Sequence, residues 1–396
     1  MQRRIHIMGH HYEKSADILA HEGDCYEKFQ GAVIPPIYQN SLFVQPTTAN
    51  GIPEHAYAYT RCTNPTLEVV EQKLAALEGG EDAVTFSSGM AAIAAAMMHF
   101  IRKDCHVIAL KSLYGGSRAL LKNYFPERYG VKTTFLGKEE INDLEKYITD
   151  ETKLIYLESP STCVFNLQDL EKIAKIAKAH GIGTVIDNTY ATPLYQHPLE
   201  WGIDISVHTA SKYLGGHSDI VAGACIASKE ICQSLRDNER MLIGACMDPH
   251  QAWLLLRGMR TLKVRLEQHQ RNGLKVAEYL KNHPYIKKVY YLGLRDSDQL
   301  DLQDKYIKGF NGLMSIVYDG TPEQANKFMD SLECVLKGCS WGGFESLAVS
   351  FTVGADEATC DELECDPNTI RLHIGLEDAD TIIADLEQAL QKSKEA

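Results

Sequence analysis

Between residues 82 and 208 short apolar runs recur with helix-length segments between them. The runs are Ala83 to Phe86, His106 to Leu110, Thr133 to Leu136, Leu154 to Leu157, Thr184 to Ile186 and Ile205 to His208. Each is the length of a buried strand, and their alternation with helical stretches predicts a mostly parallel sheet covered on both faces. Leu67, Val69, Val70, Leu74 and Leu77 fall at helical spacing and stop at Gly79-Gly80, so a helix precedes the first strand. Ala91 to Phe100 is apolar on every side and predicts a fully buried helix. From Met259 through Gln270 to Leu280 the pattern becomes one long charged helix that ends before His283-Pro284. Beyond it lie a strand at Leu313 to Tyr318, a helix opened by the capping box Thr321-Pro322-Glu323-Gln324, and a terminal helix with Ile382, Ile383, Leu386 and Leu390 on one face. The expectation is an α/β chain. Residues 61–257 form a large domain on a mostly parallel sheet, and 258–396 form a smaller α+β domain. Residues 1–60, punctuated by Pro35-Pro36, Pro46, Gly51 and Pro53, form an extended arm that contacts a neighbouring subunit.

Composition narrows the class. The 396 residues carry a formal charge of -13, which opposes binding of nucleic acid or an anionic membrane through bulk electrostatics while leaving room for a local anion pocket. The eleven cysteines form no CxxC pair, and the close spacings Cys334 to Cys339 and Cys360 to Cys365 have no histidine at ligand distance. They read as thiols of a cytoplasmic protein, with no metal site. His10 and His11 read as an exposed terminus rather than ligands. No apolar leader and no run of membrane-spanning length is found.

Candidate chemistry gathers where strands end, which is where open α/β sheets bind ligands. Lys212 follows the strand ending at His208 and precedes Gly215-Gly216, with the hydroxyls of Thr209 and Ser211 before it. An amine desolvated there attacks carbonyls; a lone lysine is otherwise a surface charge. Ser88-Gly89-Met90 opens the buried helix, so its amides suit a phosphate, or Ser88 simply caps the helix. Asp187 ends Val-Ile-Asp with no cation beside it, and either caps a turn or pairs with a protonated ring nitrogen. Tyr114 follows another strand and either stacks on a flat ring or packs at the rim. A phosphate cup, a ring face, an acid and an amine at four strand ends together describe a pyridoxal phosphate site. No G-x-G-x-x-G follows the first strand, which leaves a nicotinamide enzyme unsupported.

His-Thr-Ala-Ser-Lys-Tyr-Leu-Gly-Gly-His-Ser-Asp, from 208 to 219, and Ala-Tyr-Thr-Arg-Cys-Thr-Asn-Pro-Thr, from 58 to 66, resemble the lysine and cofactor-phosphate signatures of the Cys/Met-metabolism family of pyridoxal phosphate enzymes. The resemblance covers nearly the whole chain. It implies the type I fold of pyridoxal-phosphate-dependent transferases and a homotetramer with shared sites. By it, Lys212 bonds to the cofactor, Asp187 pairs with the pyridine nitrogen and Tyr114 stacks on the ring. Ser88, Gly89, Met90, Thr209 and Ser211 hold the phosphate, joined by Tyr59 and Arg61 from an adjacent subunit. Arg371, in Thr-Ile-Arg-Leu-His-Ile-Gly, corresponds to the clamp on the substrate α-carboxylate, with Ser340 and Trp341 beside the substrate. Ser340-Trp341-Gly342-Gly343-Phe344-Glu345-Ser346 and Leu157-Glu158-Ser159-Pro160-Ser161 resemble the family's β-acting members. Trp341 and Thr162 replace the Leu and Asn usual in its γ-acting members. The resemblance thus implies a carbon-sulfur lyase that splits cystathionine into homocysteine, pyruvate and ammonia. Cys62 and Ala119 depart from the β-acting pattern, so cysteine is a further expected substrate. The alternatives are a γ-acting lyase or synthase, and a non-catalytic regulatory protein on the same fold.

Overall fold

The computed structural model describes residues 12–45 and 57–394; His10, His11, Pro46, Gly51 and Pro53 lie outside the described residues. Seven strands form the first sheet: β1 (Asp82–Phe86), β2 (His106–Leu110), β3 (Lys132–Leu136), β4 (Thr152–Glu158), β5 (Gly183–Asp187), β6 (Ile205–His208) and β7 (Gly223–Ala227). Their order is β1-β7-β6-β5-β4-β2-β3, and only β7 runs against its neighbours. β2, β5, β6 and β7 are buried along their whole length, as a sheet covered on both faces requires. Strand β7 was not expected from the sequence. Its Gly-Ala-Cys-Ile-Ala lacks large β-branched runs because the helix Gly89–Phe100 lies directly on it: a Cβ on Gly223 would come within 2.2 Å of the Ser88 carbonyl oxygen.

A second sheet holds β8 (Ile286–Tyr290), β9 (Leu313–Tyr318), β10 (Leu336–Lys337), β11 (Leu347–Ser350) and β12 (Thr369–His373) in the order β10-β11-β12-β9-β8, antiparallel apart from the β10–β11 pair. The capping box at Thr321 forms with both of its hydrogen bonds. A separate helix not expected from the sequence, Pro249–Met259, precedes the long helix expected from Met259 to Leu280, which is Leu262–Lys281. The Thr261 hydroxyl donates to the Gly258 carbonyl at 3.0 Å and Arg260 turns to pair with Asp24, so side chains take over where the helical ladder stops. The second of these helices serves both cores: Leu262 and Leu266 pack with the first sheet's layer, and Val276, Ala277 and Leu280 pack with the second sheet.

The stretch before residue 60 is not extended throughout. Ser15–His21 is a helix, and Ile18, Leu19 and Phe29 are buried against the helix Pro65–Glu78 of the same chain. Leu42 to Val44 and Tyr59, by contrast, stay at the surface, with Val44 93% exposed. Among the described residues no helix is long and apolar enough to cross a membrane.

Candidate active site

The carboxyl ends of β4, β5 and β6 face β12 of the second sheet across a cavity of about 300 Å³, whose walls include Tyr114, Asp187, Thr209, Lys212, Trp341 and Arg371. Lys212 sits on a tight turn. Its amide donates to the Thr209 carbonyl at 3.1 Å and its carbonyl accepts from Gly216 at 2.8 Å, which ends the excursion from β6 within one loop. The Lys212 Nζ donates to Ser340 Oγ at 2.8 Å and lies 5.7 Å from the centre of a Trp341 ring. Burial, and next the nearby Arg371 guanidinium, depress its pKa below the usual lysine value.

The loop carrying Ser340 and Trp341 is held against this lysine by Gly342. Its φ of +85° is a left-handed conformation, and a Cβ there would stand 2.6 Å from the Tyr213 amide nitrogen and 2.8 Å from the Lys212 carbonyl carbon. His373, fully buried, accepts from the Gly342 amide at 3.1 Å, and the Trp341 ring rests on Tyr213 with centroids 5.5 Å apart. Arg371, in the middle of β12, donates to the Cys339 carbonyl at 2.8 Å.

Asp187 is buried at the end of β5 and accepts from the amide and the hydroxyl of Thr189. Thr189 Oγ1 in turn accepts from the Thr209 amide at 2.8 Å, so one hydrogen-bonded chain ties β5 to the turn before Lys212. Burial raises the Asp187 pKa, while Thr189, His208 and Lys212 work to lower it. Among the described residues no guanidinium or ammonium is bonded to this carboxylate.

Gly89 lies against the Thr209 side chain so closely that a Cβ would meet Oγ1 at 2.2 Å. Ser88 Oγ accepts from Ala91 at 3.1 Å and so caps the helix, leaving the Gly89 and Met90 amides without a partner inside it. Met90 reaches the Tyr114 turn: a Cβ on Gly116 would meet Met90 Sδ at 2.4 Å. Ser211 faces elsewhere, bonded through its hydroxyl to the Ala222 carbonyl at 3.2 Å and amide at 2.8 Å. Tyr59 and Arg61 do not reach the cavity of their own chain. They are exposed, with the guanidinium 5.2 Å from the tyrosine ring centre. Glu158, Thr189 and Cys339 line the cavity without having been singled out from the sequence. Glu158 shared a signal with Asp187, an acid ending an apolar strand.

The residues match a phosphorylated pyridine aldehyde: a desolvated amine, a buried acid awaiting a cation, and a glycine cradle beside a hydroxyl. The family model for the Cys/Met metabolism PLP-dependent enzymes matches residues 16–391. The chain belongs to that family. An L-methionine gamma-lyase of Treponema denticola is 36% identical over 387 residues, covering 94% of this chain and 95% of that one. A cystathionine beta-lyase of Lactococcus lactis subsp. cremoris is 37% identical over 379 residues, covering 94% and 97%. A solved structure from Campylobacter jejuni subsp. jejuni, with a TM-score of 0.89 and 30% identity over 96% of this chain and 100% of that one, carries a pyridoxyl-lysine monophosphate. The fold is therefore the type I fold of pyridoxal-phosphate-dependent enzymes, the cofactor is pyridoxal phosphate, and the chain is an enzyme of a family that includes carbon-sulfur lyases.

Proposed function

We propose that this enzyme is a β-acting carbon-sulfur lyase that takes cystathionine and water to homocysteine, pyruvate and ammonia, with cysteine as a lesser substrate. The observation that carries this reading is the confinement of Lys212, whose Nζ is tied to Ser340 Oγ at 2.8 Å and flanked by the Trp341 ring. Removal of a γ-substituent needs a second proton taken from Cβ, and hence a base that swings. A β-substituent leaves after one proton is removed from Cα, which a base of short reach accomplishes. Thr162, the other position that departs from the γ-acting pattern, also lines the cavity. Overall identity does not separate the two classes, since gamma- and beta-lyases stand at 36% and 37%.

Bound pyridoxal phosphate supplies a sink for the electron pair left on Cα. The chain supplies the rest. Gly89, Met90 and Thr209 would hold its phosphate, Tyr114 would lie against its ring, and Asp187 would favour a proton on the ring nitrogen. Arg371 receives the substrate α-carboxylate and so turns the Cα proton toward Lys212. The depressed pKa of Lys212 keeps a larger share of it neutral and able to accept that proton. The same ammonium then returns the proton to the departing sulfur. Tyr59 and Arg61 complete the phosphate site of an adjacent subunit in a homotetramer; their exposure and the apolar surface at Leu42, Val44, Leu242 and Ile243 support that assembly.

The test is to incubate the enzyme with cystathionine, cysteine and methionine in parallel and identify the keto acid. Pyruvate from cystathionine supports the reading. Predominant 2-oxobutyrate overturns it in favour of γ-elimination and leaves the cofactor site intact.

A further inference from the structure

β4 and β5 run parallel, and their register sets Glu158 directly beside Asp187. Two carboxyl groups thus end adjacent strands on the wall of one cavity, and both are buried. Two like charges side by side in a desolvated site do not both ionise. Their partners differ. Asp187 accepts two hydrogen bonds from Thr189 and faces His208 and Lys212. Glu158 Oε2 accepts from the main-chain amide of Tyr114 at 2.7 Å. The other groups that face it are the phenol of Tyr156 on its own strand, the Thr162 hydroxyl, and Arg371 from β12, whose guanidinium is bonded to the Cys339 carbonyl.

We propose that Glu158 is a positioning residue that acts as a neutral carboxylic acid: it straps the Tyr114 main chain over the cavity and leaves Asp187 as the sole negative charge for the cofactor's ring nitrogen. Burial, and next the charge of Asp187, push the Glu158 pKa well above the carboxylate range, in agreement with the geometry. The consequence is electrostatic. Were both acids ionised, two buried negative charges would stand side by side next to a single ring proton, with Arg371 committed to the substrate carboxylate and Lys212 needed neutral. With Glu158 neutral, one carboxylate meets one pyridinium, and the strap costs the site no charge.

This inference rests on the role given to Asp187 and is independent of the choice between β- and γ-elimination. Its test is made without substrate, so its failure is separate from failure of the lyase reading. Difference infrared spectra of wild type minus Glu158→Gln, at neutral pH, should show the carbonyl stretch of a protonated carboxylic acid. A carboxylate band in its place overturns the proposal. Glutamine keeps an uncharged acceptor for Tyr114, so Glu158→Gln should hold cofactor affinity within about twofold and keep the wild-type visible spectrum. Glu158→Ala, which leaves the amide unpaired, should weaken cofactor binding by about tenfold and shift that spectrum. Equal losses in Gln and Ala would show that the charge matters and would reject the neutral acid. Should Glu158→Gln not fold, Glu158→Asp takes its place: the protonated-acid band then shifts in frequency, and its absence from both spectra refutes the idea.

Discussion

The contact between Gly89 and Thr209 offers a perturbation whose size is read directly from distances. In Gly89→Ala the added Cβ would stand 2.2 Å from Thr209 Oγ1, 2.6 Å from Cγ2 and 2.7 Å from Cβ. Carbon contacts relax near 3.5 to 4 Å, so the helix start and the Thr209 turn must part by about 1 Å or more. Such overpacking costs roughly 1–3 kcal/mol, and the cheapest escape widens the cradle in which the two amides and the hydroxyl converge. If that energy is drawn from cofactor binding, the affinity falls about fivefold to 150-fold. Alanine's advantage as a helix former, roughly 0.5–1 kcal/mol in a helix interior, is smaller than this cost, so the thermal stability of the cofactor-free variant is measured beside its affinity to separate a folding defect from a lost cradle. The assay is titration of the cofactor-free protein with pyridoxal phosphate, followed by absorbance. Adding Thr209→Ala removes Oγ1 and Cγ2 but not the Cβ at 2.7 Å, so the double variant should gain space without full recovery. Wild-type affinity in Gly89→Ala would refute the cradle.

Three further outcomes are expected. Lys73 is buried with its Nζ donating to the Ile18 carbonyl at 2.7 Å, and burial pushes its pKa down to about 8. Between about 8 and its ordinary 10.5 the unfolded chain binds this proton more tightly. Wild type should therefore gain on Lys73→Met by roughly 3 kcal/mol as pH rises through that window, measured by chemical denaturation at both ends; parallel pH profiles would contradict it. Arg371→Lys keeps the charge but loses the planar fork, so KM should rise about tenfold or more with kcat less affected, and a fall in kcat at constant KM would count against the carboxylate clamp. Arg61→Ala and Lys212→Ala, each inactive or weak alone, should recover activity when mixed into verified hybrid oligomers, whereas no recovery speaks against sites shared between subunits.

The strands that build the site were legible because each is a short apolar run bounded by turn residues: β2, β6 and β9 match the expected limits to the residue. β7 was not, since small residues packed under a helix lack the side chains that mark a strand. The helix Pro249–Met259 was not expected either, and the pairing of Arg260 with Asp24 at its end joins residues far apart in sequence. The same limit applies inside the site. Lys212, Asp187 and Tyr114 announced themselves by chemistry at strand ends, but the bond from Lys212 to Ser340 spans 128 positions and was not expected; the family resemblance placed Ser340 only beside the substrate. Glu158 ends its strand as Asp187 does, and only the β4–β5 register shows that the two stand side by side. Ser211 had a hydroxyl in the right stretch, yet the backbone of Ala222 claims it. Tyr59 and Arg61 stand apart from their own cavity, which one chain's pattern does not reveal.

The claim on which the rest depends is that chemistry centres on Lys212, half-buried between Ser340 and Trp341 at the end of β6. Borohydride reduction of the loaded enzyme fixes the cofactor to the lysine that holds it, and peptide mapping then identifies that residue. A label on Lys212, with the visible absorbance lost in Lys212→Ala, is the result expected; a label on any other lysine would contradict it.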